Sequence, residues 1–280
     1  MSLALRGIRS TICLRVVPRF MPHQQHRSLK HEYELYVERE IEDYKDSIPR
    51  SAILSIGDEA VAKLRTQEQV AFDELVLCDE VDRIITVRLR LPTYATWKRR
   101  RLKLLAKYRR PEHWGLRPDA PLVRAIPAGS ESRVLVSGPR VSDSALYLAA
   151  NGCTVTTVGD APDVIERVMS AAEAVGLASQ VTAFASPLTE WAPDGPLTAV
   201  VVSPAAFDGL SITDRARVIE ILKRATLDGG VHLVETIVAG HAALSIDELR
   251  SQYRGWSISV EPGESAATTF LARKAVTTAS

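Results

Sequence analysis

From Ser132 to Ala275 the sequence alternates short apolar runs with amphipathic stretches, and this alternation constrains the fold more than any other feature of the chain. Strand-like runs occur at Arg133-Val-Leu-Val-Ser137, Thr154 to Val158, Gln180 to Phe184, Leu197 to Ser203 and Val231 to Ile237. Helical spacing covers Asp143 to Asn151, Asp163 to Val175, Thr213 to Thr226 and Ser245 to Tyr253. The continuous apolar run Leu197-Thr-Ala-Val-Val-Val-Ser203 suits a strand buried on both faces. Strands separated by helices are joined by right-handed crossovers, which make a parallel sheet. Trp256 to Val260 and Thr268 to Arg273 are separated only by Glu261-Pro-Gly-Glu264, so this closing pair adds an antiparallel strand. The expectation is an α/β fold with a doubly wound, mostly parallel, seven-stranded Rossmann-like sheet.

Upstream the pattern is helical. Between His31 and Ser47 the apolar residues Tyr33, Val37, Ile41 and Tyr44 recur at spacings of three and four among Glu and Asp, which predicts an amphipathic helix. Ile48-Pro-Arg50 and Ile56-Gly-Asp58 read as breaks, with Asp58 placed to cap a helix from Glu59. A further helix is expected from Gln67 to Leu91, with Val70, Leu77, Val81 and Ile84 on one side; its alternating end, Val87-Arg-Leu-Arg-Leu91, also fits a short strand. Pro92 stops it, and the next helix carries Trp97, Leu102, Leu105 and Tyr108 amid the Lys98 to Arg110 basic run. Three parts are expected: a basic tail or targeting segment at 1–30, a helical extension at 31–110 and the α/β domain at 111–280.

Five alternating units and a terminal hairpin, carried by particular motifs, resemble the class I S-adenosylmethionine-dependent methyltransferases. Leu135-Val-Ser-Gly-Pro-Arg-Val-Ser-Asp-Ser-Ala-Leu-Tyr-Leu-Ala149 is similar to the family's first strand, glycine-rich turn and helix. Val158-Gly-Asp-Ala-Pro162 stands where the second strand ends, Leu188-Thr-Glu-Trp191 follows the third, and Leu227-Asp-Gly-Gly-Val-His-Leu-Val-Glu235 leads into the fifth. Tyr108-Arg-Arg-Pro-Glu-His-Trp-Gly115 resembles the lead-in of the tellurite-resistance and thiopurine methyltransferase branch, where such a segment covers the cofactor. The resemblance implies a cofactor crevice involving Gly138, Arg140, Asp160 and Trp114.

Where that family uses particular residue types, this sequence departs from it. The acid expected at the end of the first strand is Val136, and the second and third turn glycines are Arg140 and Ser142. Arginine would crowd a turn that needs close backbone approach, and it sets a cation beside a sulfonium. The ribose-binding acid position is Gly159, with Asp160 one residue later; the adenine-reading acid corresponds to Ser186 or Pro187, and the acid before strand four to Thr198. A hydrogen bond to a charged group contributes about 1.5–3 kcal/mol, so losing two or three takes a micromolar site toward the millimolar range. The reading is a methyltransferase-like pseudoenzyme without cofactor that serves as an interaction or assembly subunit; the alternative is an active small-molecule methyltransferase using S-adenosylmethionine through an atypical turn.

Candidate catalytic groups are few: His241 in the loop after strand five, His113 in the lead-in, and Glu235, each also explicable as a surface or packing residue. His232, inside a strand, reads as a hydrogen-bonded core residue. Arg140 at a helix start also suits an anion, which opens a phosphate-bearing ligand as a further use of the turn. No metal-ligand or nucleophile–base set is visible, and Cys13, Cys78 and Cys153 fit no metal or redox spacing. Protein partners are expected through the N-terminal helices and the Lys98 to Arg110 segment. Nucleic acid is not favoured, because the net charge is +1, the basic run lacks interleaved exposed aromatics and the acidic helix near Glu38 to Asp46 offers it an internal counterpart. Contact with an anionic surface stays open, and no run is apolar enough for a membrane span. The cytoplasm is the expected compartment, or the mitochondrial matrix if the arginine-rich, acid-free residues 1–20 are a presequence; Met21 is a second candidate start.

Overall fold

A computed structural model of the chain describes residues 28–66, 74–129, 131–138, 141–235, 244–262 and 268–276. The chain packs as two units, one ending at Tyr94 and the other beginning at Ala95. Within the first unit, α1 (Leu29–Ser47) starts where the Ser28 hydroxyl accepts from the His31 amide at 3.2 Å, and it ends before Pro49. α2 (Arg50–Thr66) runs straight through Gly57, contrary to the break expected at Ile56-Gly-Asp58. Nothing lies within 4 Å of where a Gly57 side chain would begin, so the glycine costs the helix about 1 kcal/mol of propensity and no packing. Ile56, Ala60 and Leu64 keep the buried stripe in register across it, and tertiary packing outweighs the local signal.

α3 (Glu74–Leu89) continues to Leu89 with no strand at its end; it stops at Arg90, whose φ of 52° is left-handed, two residues before Pro92. Its expected beginning, including Val70, lies outside the described residues. Ile41, Ile56, Ala60, Ile84 and Ile85 form one core, with Val37, Tyr44, Leu77 and Val81 packed on it. The apolar stripes of α1 and α3 thus cover each other and α2. Tyr33 donates its hydroxyl to the Pro92 carbonyl at 2.9 Å, tying α1 to the exit of the unit.

In the second unit, α4 (Tyr94–Tyr108) and a single turn at Pro111–Trp114 precede α5 (Pro121–Ala125). The doubly wound part then follows in order: β1 (Arg133–Ser137), α6 (Val141–Ala150), β2 (Thr154–Gly159), α7 (Pro162–Ala174), β3 (Val181–Ala185) and β4 (Leu197–Val202). α8 (Ile212–Ala225), β5 (Thr226–Glu235), α9 (Ile246–Gln252), β6 (Ser257–Pro262) and β7 (Thr268–Arg273) complete it. The sheet runs β3-β2-β1-β4-β5-β7-β6, with β7 antiparallel to both neighbours and the first five strands parallel. This is the Rossmann-like methyltransferase fold that the sequence resemblance implied.

Period-two alternation sends side chains to both faces. Val134, Val136, Ala199, Val231 and Leu233 enter one core with residues of α5, α6 and α7. Leu135, Val200, Val202, Val234 and Phe270 enter the other with Val218, Ile219 and Leu222 of α8 and Leu249 of α9. The β3–β4 connection carries no α-helix, which leaves Phe184 40% exposed at the end of the edge strand, beside Trp191. Among the described residues no helix is long and apolar enough to cross a membrane.

Candidate functional site

In a doubly wound sheet, ligands bind outside the carboxyl ends of the strands at the point where strand order reverses, here between β1 and β4. Val136, at the position of the expected acid, is 2% exposed and packs in the first core. Ser137 closes β1 by donating its hydroxyl to the Val158 carbonyl at 2.7 Å, across to the end of β2. Gly138 follows with φ 134°, a conformation that L side chains rarely adopt. A Cβ there would lie 2.0 Å from the Ser203 hydroxyl, which comes from the residue after β4. The Ser203 amide also donates to the Ser137 carbonyl at 3.0 Å, continuing the ladder. Gly138 is therefore required by Ser203, whose buried Oγ has no hydrogen-bond partner among the described residues. The sequence singled out Gly138 but not Ser203; its only signal is the Ser-Pro step directly after the apolar strand.

Arg140 and His241 lie outside the described residues. Ser142 is half-buried in the first turn of α6. At the end of β2, Gly159 offers no side chain and its carbonyl accepts from the Ser186 amide at 2.9 Å. Asp160 is exposed and makes no ion pair or side-chain hydrogen bond among the described residues. Thr198 donates its hydroxyl to the Arg133 carbonyl at 2.9 Å, so it is engaged in joining β4 to β1. Glu235 is exposed at the carboxyl end of β5.

His113 and Trp114 do come together. Tyr108, His113 and Trp114 form an aromatic trio with ring centroids 4.8–5.7 Å apart, and the Trp114 indole N–H donates to the Tyr108 carbonyl at 2.7 Å. Trp114 packs on the first core, whereas His113 lines a concavity of about 540 Å³ with Lys107, Arg110 and Glu112. A second concavity, about 410 Å³, lies in the first unit over Val37 and Ile41. Gly138, Asp160 and Ser203 line neither.

A polar centre with its hydrogen bonds complete lies inside the sheet. His232 is fully buried on β5, with Nε2 2.7 Å from the Thr226 hydroxyl and Nδ1 2.7 Å from the Tyr253 hydroxyl. Thr226 donates its single proton to the Leu222 carbonyl at 2.7 Å, so His232 Nε2–H must donate to Thr226, and Tyr253 must donate to Nδ1. Burial, aided by the charges of Lys223 and Lys274, pushes the imidazole down to about 3, and burial raises the Tyr253 phenol. His232 is a neutral, hydrogen-bonded core residue, edge-on to Trp256 at 4.9 Å. The sequence reading identified its core role but neither of its partners. Among the described residues no three His, Cys, Asp or Glu side chains form a metal-binding group.

No family model matches the sequence, and no curated protein matches it. Solved structures do. The chain is similar to the N-methyltransferase NodS of Bradyrhizobium japonicum, at 16% identity and a TM-score of 0.46, over 57% of this chain and 99% of that one. It is similar to TehB of Haemophilus influenzae at 20% identity and a TM-score of 0.43, over 51% and 57% of the two chains. A third likeness is to an S-adenosylmethionine-dependent methyltransferase of Methanosarcina mazei, at 14% identity and a TM-score of 0.46, over 56% and 98%.

Proposed function

We propose that this chain is a methyltransferase-like pseudoenzyme that has lost S-adenosylmethionine-dependent catalysis and serves as an interaction or assembly subunit. The observation that carries this reading is the contact between Ser203 and Gly138: the room freed by the absent Cβ is taken by a side chain of the protein itself. Three further positions support it. Val136 is a core residue where an acid is needed, Gly159 has no carboxylate, and the Thr198 hydroxyl is committed to the Arg133 carbonyl. On this reading the residues at the crevice do not fit S-adenosylmethionine, and no methyl-transfer step is derived through them. The surfaces left for partners are the first unit, with Leu54, Leu75 and Val87 at 60–73% exposure, and the outer face of α4.

Calorimetry of the full chain with S-adenosylmethionine and S-adenosylhomocysteine tests this directly. Losing two charge-assisted hydrogen bonds, about 2 kcal/mol each, weakens a micromolar site by about three decades, so no binding tighter than roughly millimolar is expected. A dissociation constant in the low micromolar range overturns the reading. The second reading, an active small-molecule methyltransferase, is favoured by two unengaged groups near the crevice, the orphaned Ser203 Oγ and the exposed Asp160 carboxylate. It requires that Asp160→Ala abolish cofactor binding in the same titration.

A further inference from the structure

We propose that the outer face of α4 binds the phosphodiester backbone of a nucleic-acid duplex. This rests on the interaction-subunit reading only in treating α4 as a contact surface, and it holds whether or not the crevice takes a cofactor. Residues 94–110 contain eight Lys or Arg and no acid. The fold divides these cations by role. Arg101 is used internally, donating from Nη1 to the Val175 carbonyl and from Nη2 to the Gly176 carbonyl, each at 3.1 Å, at the C-terminal end of α7. Tyr108 is buried in the core and Leu105 packs against it, so this side of α4 is turned inward. Arg99, Arg100, Lys103, Lys107, Arg109 and Arg110 remain exposed, and none is ion-paired among the described residues.

A solvated helix face ordinarily mixes signs, as α1 does with its Lys30–Glu34 and Lys45–Glu42 pairs. The α4 face has no such mixture. Arg99, Lys103 and Lys107, four residues apart, repeat about every 6 Å along the axis, and the arginines supply planar forks suited to phosphate oxygens. Lys107 and Arg110 also rim the concavity of about 540 Å³ completed by His113 and Glu112, which has room for a phosphate and its sugar. Buried Tyr108 and half-buried Trp97 leave no exposed aromatic on α4 for bases to stack on, so recognition runs through the backbone of a duplex. An anionic membrane fits less well, because an interfacial helix needs a continuous apolar face and here only Leu102 and Leu104 are exposed, at 46% and 38%. The near-neutral net charge of the whole chain does not cancel the ridge, since screening limits its field to about 8 Å at physiological salt.

Fluorescence anisotropy of the full chain against a short duplex RNA and the same duplex as DNA, at rising salt, tests the proposal, and the preferred duplex identifies the source of the phosphates. Expected is a dissociation constant of about 1–100 μM near physiological salt, with a log–log salt slope of about −3 to −5. Arg99→Gln/Lys103→Gln/Arg110→Gln should weaken binding at least about tenfold and flatten the slope by about three, with an unchanged melting curve. Should that variant melt early, Arg100→Gln/Lys107→Gln/Arg109→Gln must show the same flattening. Absence of binding to both duplexes, unaltered binding by the variants, or binding confined to phosphatidylserine vesicles overturns it.

Discussion

Two polar centres lie in the same sheet, and they are opposites. Around His232 every polar atom has its partner: phenol to imidazole, imidazole to threonine, threonine to the Leu222 carbonyl, all at 2.7 Å and all buried. Around Gly138 the position of the expected acid is a core valine, Ser203 Oγ is buried without a partner among the described residues, and Asp160 faces solvent. A buried polar group that is not hydrogen-bonded costs free energy, and a satisfied network specifies one packing. Among the described residues, the satisfied contacts fasten β5, α8 and the segment after α9 together, whereas the groups around Gly138 fasten less.

The largest expected effect comes from breaking the satisfied centre. His232→Ala removes a fully buried ring and strands the Tyr253 hydroxyl, so chemical denaturation should show a loss of about 3–5 kcal/mol. A loss below about 1 kcal/mol would mean that the network is ornamental. The same centre sets a pH dependence. The unfolded imidazole takes a proton near its ordinary 6.5, while the native one resists until about 3. Stability from this group is therefore complete above 6.5 and falls by about 1.4 kcal/mol per pH unit as the pH drops toward 3. His232→Gln should remove that component of the slope, and identical pH profiles for the two proteins would refute the assignment.

A smaller effect sharpens the other side of the comparison. Gly138→Ala should cost about 2–3 kcal/mol, because it adds both backbone strain at φ 134° and a collision with Ser203. Pairing it with Ser203→Gly should recover the collision part and leave about 1–2 kcal/mol of strain, measured as a double-mutant cycle. Strict additivity would show that Ser203 is not what Gly138 makes room for. Smallest of all, Asp160→Ala should change stability by no more than about 0.5 kcal/mol, since the side chain is exposed and unengaged. A larger loss would give Asp160 a structural duty and weaken it as a cofactor ligand.

Much of the architecture was legible in the residues. β1 to β4 and their helices fall within one or two residues of where the hydrophobic pattern puts them, because period-two and helical spacings are local signals. The exceptions have particular causes. Gly57 reads as a break, yet α2 passes through it because Ile56 and Ala60 share one core with Ile41 of α1 and Ile84 and Ile85 of α3. β5 begins at Thr226, five residues before the expected Val231, because Thr226 already pairs with Leu197, ahead of an irregularity after which Val231 pairs with Ala199. Around Gly138, the positions where the sequence departs from the motifs it resembles could be named in advance, while Ser203 could not, since its meaning depends on a residue 65 positions earlier.

The sequence by itself determined which segments become strands and helices and that both faces of the sheet would be covered. Periodicity and residue type suffice for these. Only the tertiary structure decided that Gly138 yields its space to Ser203 and that Tyr253, His232 and Thr226 form one directed chain. It alone showed which cations of α4 are used to cap α7 and which are left outward. Each of these depends on distances between residues far apart in the chain, and those distances are set by how the layers pack.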